Sequence, residues 1–306
     1  MLVASACTTT NSPATSPTPA PELSREDAIT WARGIDPCAL IGRDKLEALG
    51  TIEVVGTSSG STSCEAHIDN GTEKGISVSW ATAIVPKDFH APGPGTVETV
   101  DGIEVRQIDT ASSVPEDIRK QLVESRCSYD IAFENGIAVR MWVSTDRDRD
   151  ACAIGLPLVR AVIAAWPEPP AQGSSPDTTI TALTAAVPCA VVPELQKSHT
   201  VTLDWNEQSL TSCFFTIDGA NVLAGFDYRA TELLGVEGQP ETFGGRAGFS
   251  TQDPSGETFA RVAVGDEFDG VWAGKKARLV PVFEVNGDNH ALVVDVVTAM
   301  LGQLPG

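Results

Sequence analysis

The chain repeats itself, and the repeat is built around cysteine. TSCEAHID runs from Thr62 to Asp69, and TSCFFTID runs from Thr211 to Asp218. Upstream of each stands a second matched phrase, IDPCALI from Ile35 to Ile41 and AVPCAVV from Ala186 to Val192. Cys38 and Cys64 are 26 residues apart, and Cys189 and Cys213 are 24 apart. The ends of the halves also correspond: CAIGLPLVRAVIAAWPEP and ALVVDVVTAMLGQLPG are both apolar-rich helical stretches that stop at a proline-containing tail. A tandem duplication accounts for all of these matches. Between the halves, PEPPAQGSSPDTT has the Pro/Gly/Ser composition of a linker. The expected organisation is a tether over 1–23, a first module over 24–166, a linker over 167–178 and a divergent second module over 179–306. A chain of 306 residues with 42% hydrophobic residues is long enough to bury two such cores.

Seven cysteines are present, and setting Cys7 aside leaves Cys38, Cys64, Cys127, Cys152, Cys189 and Cys213. Six cysteines admit many pairings, but the repeat prunes them. If Cys38 pairs with Cys64, the duplication implies Cys189–Cys213 and leaves Cys127–Cys152. Each such loop of about 25 residues stabilises the fold by about 3 kcal/mol through the unfolded state. The rival reading is metal binding. No Cys-x-x-Cys occurs, and none of the four histidines (His67, His90, His199 and His290) stands at a ligand spacing from a cysteine that recurs in the other half. An even, matched set in an exported chain favours disulfides, and neither a metal nor a cofactor is expected.

The chain opens MLVASACTTT, in which small residues precede Cys7 as they do at the lipidation site of a bacterial lipoprotein signal, although Ala4 stands where Leu is more usual. The basic and most of the apolar part of such a signal do not appear, so the expected natural start lies further upstream. An ordinary cysteine in an N-terminal tail is the plainer alternative. The next stretch, TTTNSPATSPTPAPELS, has no apolar periodicity and suits an extended tether. Lipidation of Cys7 with more than one acyl chain supplies what stable anchoring requires. No run of about 18 apolar residues occurs, so the membrane contact expected is the lipid anchor alone. The formal net charge of −20 repels phosphate backbones and argues against nucleic acid as a partner.

Local signals give a coarse outline. Ser24 with Asp27 three residues on reads as a capping box for an opening helix, and Asp36-Pro37 as the cap and first residue of a second helix ending near Gly50. STSCEAHID, GISVSWAT and DGIEVRQID alternate like strands, with a turn at Asn70-Gly71. SVPEDIRKQLVES is expected to be a helix capped by Ser113. CSYDIAFENGIAVRMWVS is expected to be a hairpin turning at Asn135-Gly136, and a last helix is expected over about 156–166 with Pro157 in its first turn. In the second half TFARVAV and KKARLVPVFEV take the hairpin's place without counterparts of Cys127 and Cys152. The expected fold class is α+β: two similar modules, each an antiparallel sheet flanked by N- and C-terminal helices and bridged by disulfides.

IDPCALI, the Thr-Ser-Cys strand, Arg126-Cys127 before an alternating strand, and DACAIGLPLVRAVIAAWP together resemble the actinobacterial lipoprotein family called domain of unknown function 3558. The resemblance covers 24–167 well and the remainder weakly. Members pair a cysteine after Asp-Pro with one on a strand, and a later strand cysteine with one opening the C-terminal helix. The first half carries all four, whereas the second carries only the first pair and has Val187-Pro188 in place of Asp-Pro. The chain is also similar to the cysteine-paired extracellular sensor domains of mycobacterial Ser/Thr kinases. The resemblance implies an exported lipoprotein on the outer face of the plasma membrane, and it supplies no catalytic residues.

The remaining motifs weigh little. Asp146, Asp148 and Asp150 match the first ligand spacings of an EF-hand, but Ala151 and Pro157 stand where the turn Gly and the bidentate Glu belong. The glycines of PGPGTVE and ETFGGRAG follow no phosphate-loop pattern, and no Gly-x-Ser-x-Gly occurs. His67 is expected on an exposed strand face, and no histidine has an evident partner. Trp80 and Trp142 are candidates for lining an apolar ligand pocket, with core packing as the alternative. Asp266, Glu267 and Asp269 near Trp272 hint at a site for a cation or a basic partner. The function expected is a non-catalytic binding or scaffolding lipoprotein for an envelope protein partner. A carrier or sensor of an apolar envelope ligand is the alternative, and an envelope hydrolase stands third.

Overall fold

A computed structural model describes residues 23–236 and 238–304; Cys7 and the rest of 1–22 lie outside the described residues. Strand β1 (Thr51–Thr57), β2 (Ser63–Asp69), β3 (Ile76–Ile84), β4 (Thr96–Val100), β5 (Ile103–Asp109), β6 (Glu124–Ala132) and β7 (Ile137–Asp146) form one antiparallel sheet in the order β1-β2-β3-β7-β6-β5-β4. Strand β8 (Val201–Leu203), β9 (Ser212–Ile217), β10 (Ala220–Ala230), β11 (Gln239–Phe243), β12 (Arg246–Gln252), β13 (Thr258–Ala263), β14 (Phe268–Trp272) and β15 (Lys275–Gly287) form another. Its order is β11-β12-β13-β15-β10-β9-β8, with β14 folded back on β15. Two antiparallel sheets, a few helices and three disulfides among the described residues make the chain α+β.

Strand alternation sets the faces. In β3, Ile76, Val78 and Trp80 are buried while Ser77, Ser79 and Ala81 point the other way; in β7, Val139, Met141 and Val143 are buried while Arg140, Trp142 and Ser144 face outward. The helix Ala151–Ala165 covers the buried face through Leu158, Val159 and Val162. In the second sheet the helix His290–Leu301 does the same through Val293, Val296, Val297 and Met300.

Capping explains where helices start. The Ser24 hydroxyl accepts from the Asp27 amide at 3.2 Å, and Asp36 accepts from Ala39 at 3.3 Å with Pro37 at the first position. The second helix does not run to Gly50: it breaks into Pro37–Leu40 and Arg43–Glu47 around Gly42. The stretch after β5 likewise forms two short turns, Thr110–Ser113 and Glu116–Arg119, and Asp109 rather than Ser113 provides the cap. The long helix of the first half starts at Ala151, not near Leu156, because Asp150 accepts from the Ala153 amide at 3.0 Å. Pro157 therefore sits inside the helix.

Cys38 pairs with Cys64, Cys127 with Cys152 and Cys189 with Cys213, each with Cα atoms 5.1 Å apart. Two of these bridges fasten a short helix to a strand, at β2 and at β9, and the third fastens the long helix to β6.

The halves are bound to each other by polar ties. Arg33, at the end of the opening helix, is buried and donates to the carbonyls of Leu183 at 2.8 Å, Thr184 at 3.5 Å and Leu210. Ala28, Ile29 and Ala32 of the same helix pack with Ile137 and Leu210, so one small apolar cluster spans both halves. The stretch expected as a linker is itself held down. Asp36 accepts from Thr178 Oγ1 at 2.5 Å and from the Ser175 amide at 2.8 Å, Arg43 pairs with Asp177 at 2.8 Å, and the Thr57 amide donates to the Asp177 carbonyl at 3.1 Å. The Tyr228 amide, on the edge of β10, donates to the Ser59 carbonyl at 3.1 Å. Replacing Arg33 with Met removes the charged donor and leaves three carbonyls unmet. The expected result is a loss of about 3 kcal/mol and the appearance of two calorimetric transitions where the parent shows one.

Candidate functional site

Where the two Thr-Ser-Cys phrases approach each other, the junction opens into a cleft of about 440 Å³ lined by both halves. That size falls within the range of about 300–1,000 Å³ typical of ligand pockets. Thr62 and Ser63 enter from the first half and Thr211 from the second, with Ser209 and Leu210 beside it. The outer face of β3 and β7 supplies Ala81, Ala83, Arg140 and Trp142, and the opening helix supplies Arg25. Gln208, at the back, is buried and immobilised: it donates to the carbonyls of Asp204 at 2.5 Å and Phe214 at 2.8 Å and accepts from the Phe214 amide at 2.7 Å.

Several groups in the cleft lack partners. Trp142 is 47% exposed, and its direct cross-strand neighbours are the small residues Ser79 and Ser128, so the indole stands clear of the sheet. Arg140 is paired with Asp130 at 2.9 Å, and Lys87 with Glu207. Arg25 has no hydrogen bond or ion pair among the described residues, its Nε is buried, and burial lowers its pKa below the usual guanidinium value. Thr82 shares the core-facing side of β3 with Trp80, so its buried hydroxyl does not reach the cleft, whereas the hydroxyls of Thr62 and Thr211 line it and make no hydrogen bond among the described residues. A net unpaired cation, free hydroxyls and one exposed indole therefore share the cleft.

Trp80 and Trp142 do not share a pocket. Trp80 is fully buried in the core of the first half, where its Nε1 donates to the Pro37 carbonyl at 2.6 Å. In β3, Ser79 rather than Trp80 lies opposite Trp142, and strand alternation places the two indoles on opposite faces. The missed residues are Arg25, Thr62 and Thr211. Their only sequence signal was the position of Thr62 and Thr211 in the repeated phrase.

His67 lies half-buried, not exposed. Its Nδ1 is 2.9 Å from Ser77 Oγ and its Nε2 is 3.6 Å from Glu53. This resembles a nucleophile, base and acid in sequence, but the turn after β14 covers it. Gly274 has φ 74°, its amide donates to Glu65 at 2.6 Å, and a Cβ there would lie 3.6 Å from Ser77 Oγ. The turn covers Ser77 from one side only: the residue is half-buried and also lines a pocket of about 210 Å³ with Glu65, Ser79 and Trp142. His199 bridges Asp218 at 2.8 Å and Asp295 at 3.9 Å, while His90 and His290 face Glu104 and Glu241. Asp146 accepts from Thr72 and Asp150 caps a helix, so two of the three aspartates of the DRDRD stretch are committed to structure, and Asp148 is exposed. Arg278 pairs with Asp269 at 2.7 Å and Glu267 at 3.7 Å, which offsets the acidic cluster near Trp272. No grouping of three or more His, Cys, Asp or Glu suited to a metal ion occurs among the described residues, and no helix among them is long and apolar enough to cross a membrane.

The outer face of the second sheet is closed by charge. Arg229 bridges Asp227 and Glu284, each at 2.9 Å, and Arg261 holds Glu284 at 2.7 Å. Burial pushes the Asp227 carboxyl up to about 7. The native state thus holds a proton that the unfolded chain, titrating near 4, releases earlier. The stabilisation is complete below about pH 4 and is lost as pH rises through 7. Asp227→Asn is expected to gain thermal midpoint relative to the parent between pH 5 and pH 8, as measured by calorimetry at both pH values.

No family model, curated protein or solved structure matches the chain.

Proposed function

We infer that the chain is a non-catalytic binding protein of the bacterial envelope, exported and held to the outer face of the plasma membrane by lipid on Cys7. It carries two copies of one module. The duplication is supported by connectivity: if β14 is set aside as an insertion, both sheets run in the same strand order, first-second-third-seventh-sixth-fifth-fourth. It is supported in detail by two hydrogen bonds at matched places, from the Thr82 amide to the Thr62 carbonyl at 2.9 Å and from the Phe226 amide to the Thr211 carbonyl at 2.8 Å. On this register Cys64 faces Trp80 across the strands and Cys213 faces Ala224. The second copy replaced the core tryptophan and placed Phe226 and Phe283 two residues along, stacked 5.2 Å apart.

The observation that carries the binding reading is the junction cleft, with Trp142 exposed and Arg25 unpaired inside a chain of net charge −20. Unpaired donors in a concave site are an unpaid desolvation cost that a ligand relieves. An envelope protein partner or a smaller polar ligand can supply the acceptors. The apolar-carrier reading keeps one feature in its favour, a crevice of about 250 Å³ between Phe226, Phe283, Met300 and Leu304.

Two measurements test this. Cells fed radiolabelled palmitate are expected to label the full natural precursor and not its Cys7→Ser form; equal labelling rejects the anchor. Crosslinking in living cells, read by mass spectrometry, is expected to capture an envelope component that Trp142→Ala loses. Identical capture by the variant excludes the cleft as the recognition site.

A further inference from the structure

We propose that the junction cleft binds a carboxylate-bearing sugar, with the carboxylate on Arg25 and an apolar ring face on Trp142. This rests on the binding reading above and names the ligand class for the same cleft.

Charge comes first. Of the three cations lining the cleft, Arg140 is neutralised by Asp130 and Lys87 by Glu207, which leaves the Arg25 guanidinium as the uncompensated charge. A planar guanidinium with free N–H groups suits a carboxylate better than any neutral acceptor, because the charge-assisted pair is the stronger bond. Partial burial strengthens the attraction relative to an exposed pair. The chain's own carboxylates are numerous, and yet none among the described residues is brought to Arg25.

Shape and lining then narrow the anion. Trp142 presents an indole face over a floor of small residues, Ala81 and Ala83 on β3 and Ser79 beside them. A flat apolar surface of that kind stacks on the C–H face of a pyranose ring. The hydroxyls of Thr62 and Thr211 line the same cleft without hydrogen-bond partners among the described residues. A simple inorganic anion would leave the indole unused, and a fatty acid would leave the hydroxyls unused. A sugar acid engages the cation, the aromatic face and the hydroxyls at once. Both halves are needed, because Thr62 comes from the first and Thr211 from the second.

The test is calorimetric titration of the full chain with three probes: a short oligogalacturonate, its methyl ester, which differs only in lacking charge, and a short poly-glutamate peptide. The acid is expected to bind about tenfold more tightly than the ester, and to weaken as salt is added. Arg25→Gln is expected to erase that difference, Arg25→Lys to keep part of it, and Trp142→Ala to weaken both sugars about tenfold. Near-ultraviolet circular dichroism and an unchanged thermal midpoint verify that the variants are folded. Equal binding of acid and ester, or discrimination that survives Arg25→Gln, overturns the proposal. Poly-glutamate binding with the same dependence on Arg25 and Trp142 also overturns it and assigns the cleft to an acidic protein partner. Failure of all three probes overturns the ligand class. The crosslinking comparison then decides independently whether the cleft is a recognition site.

Discussion

The arrangement of this protein depends on one buried cation. Arg33 leaves the opening helix of the first half and ends among three carbonyls of the second, those of Leu183, Thr184 and Leu210. Burial lowers its pKa to about 10, still well above neutrality, so it remains charged where it is expensive to be charged. Only the complete set of acceptors makes that tolerable, and the set exists in one relative placement of the halves. Once Leu210 is fixed, Thr211 and Gln208 follow along the chain, and the cleft has its second wall.

The same logic governs the 167–178 stretch. Its composition resembles that of a free linker, yet Asp36 and Arg43 bind it and Thr57 donates to it. Asp36 is fully buried, caps the Pro37–Leu40 helix and receives Ser175 and Thr178. An isolated pair of beads on a string would leave Arg33 and Asp36 without their partners. The two halves therefore present a single composite surface, and the exposed indole of Trp142 lines the cleft between them.

Much of the fold was legible because its signals are local. Cysteine spacing gave the pairing, the Ser24, Asp36 and Asn135-Gly136 signals gave caps and a turn, and alternation gave β3, β6 and β7. The errors arose where tertiary packing overrode a local preference. Pro157 reads as a helix start, but Asp150 offers a better cap and the tolerance of a proline inside the helix follows from packing against the sheet. The histidines read as unpartnered because their carboxylates come from other strands or from the far end of the chain, as Asp295 does for His199.

The sequence alone determined the covalent frame: which cysteines face one another, that the phrase carrying them occurs twice, and that the residues of each strand alternate between two faces. Such features depend on neighbours a few residues away or on bonds between named atoms, so they survive without knowledge of the whole. Only the tertiary structure decided that the two phrases meet, that Arg25 and Trp142 line one cleft with Arg25 unpaired among the described residues, and that Trp80 and Trp142 point apart. Each of those facts is a distance between groups remote in the chain, set by how two packed sheets settle against one another, and no local pattern encodes it.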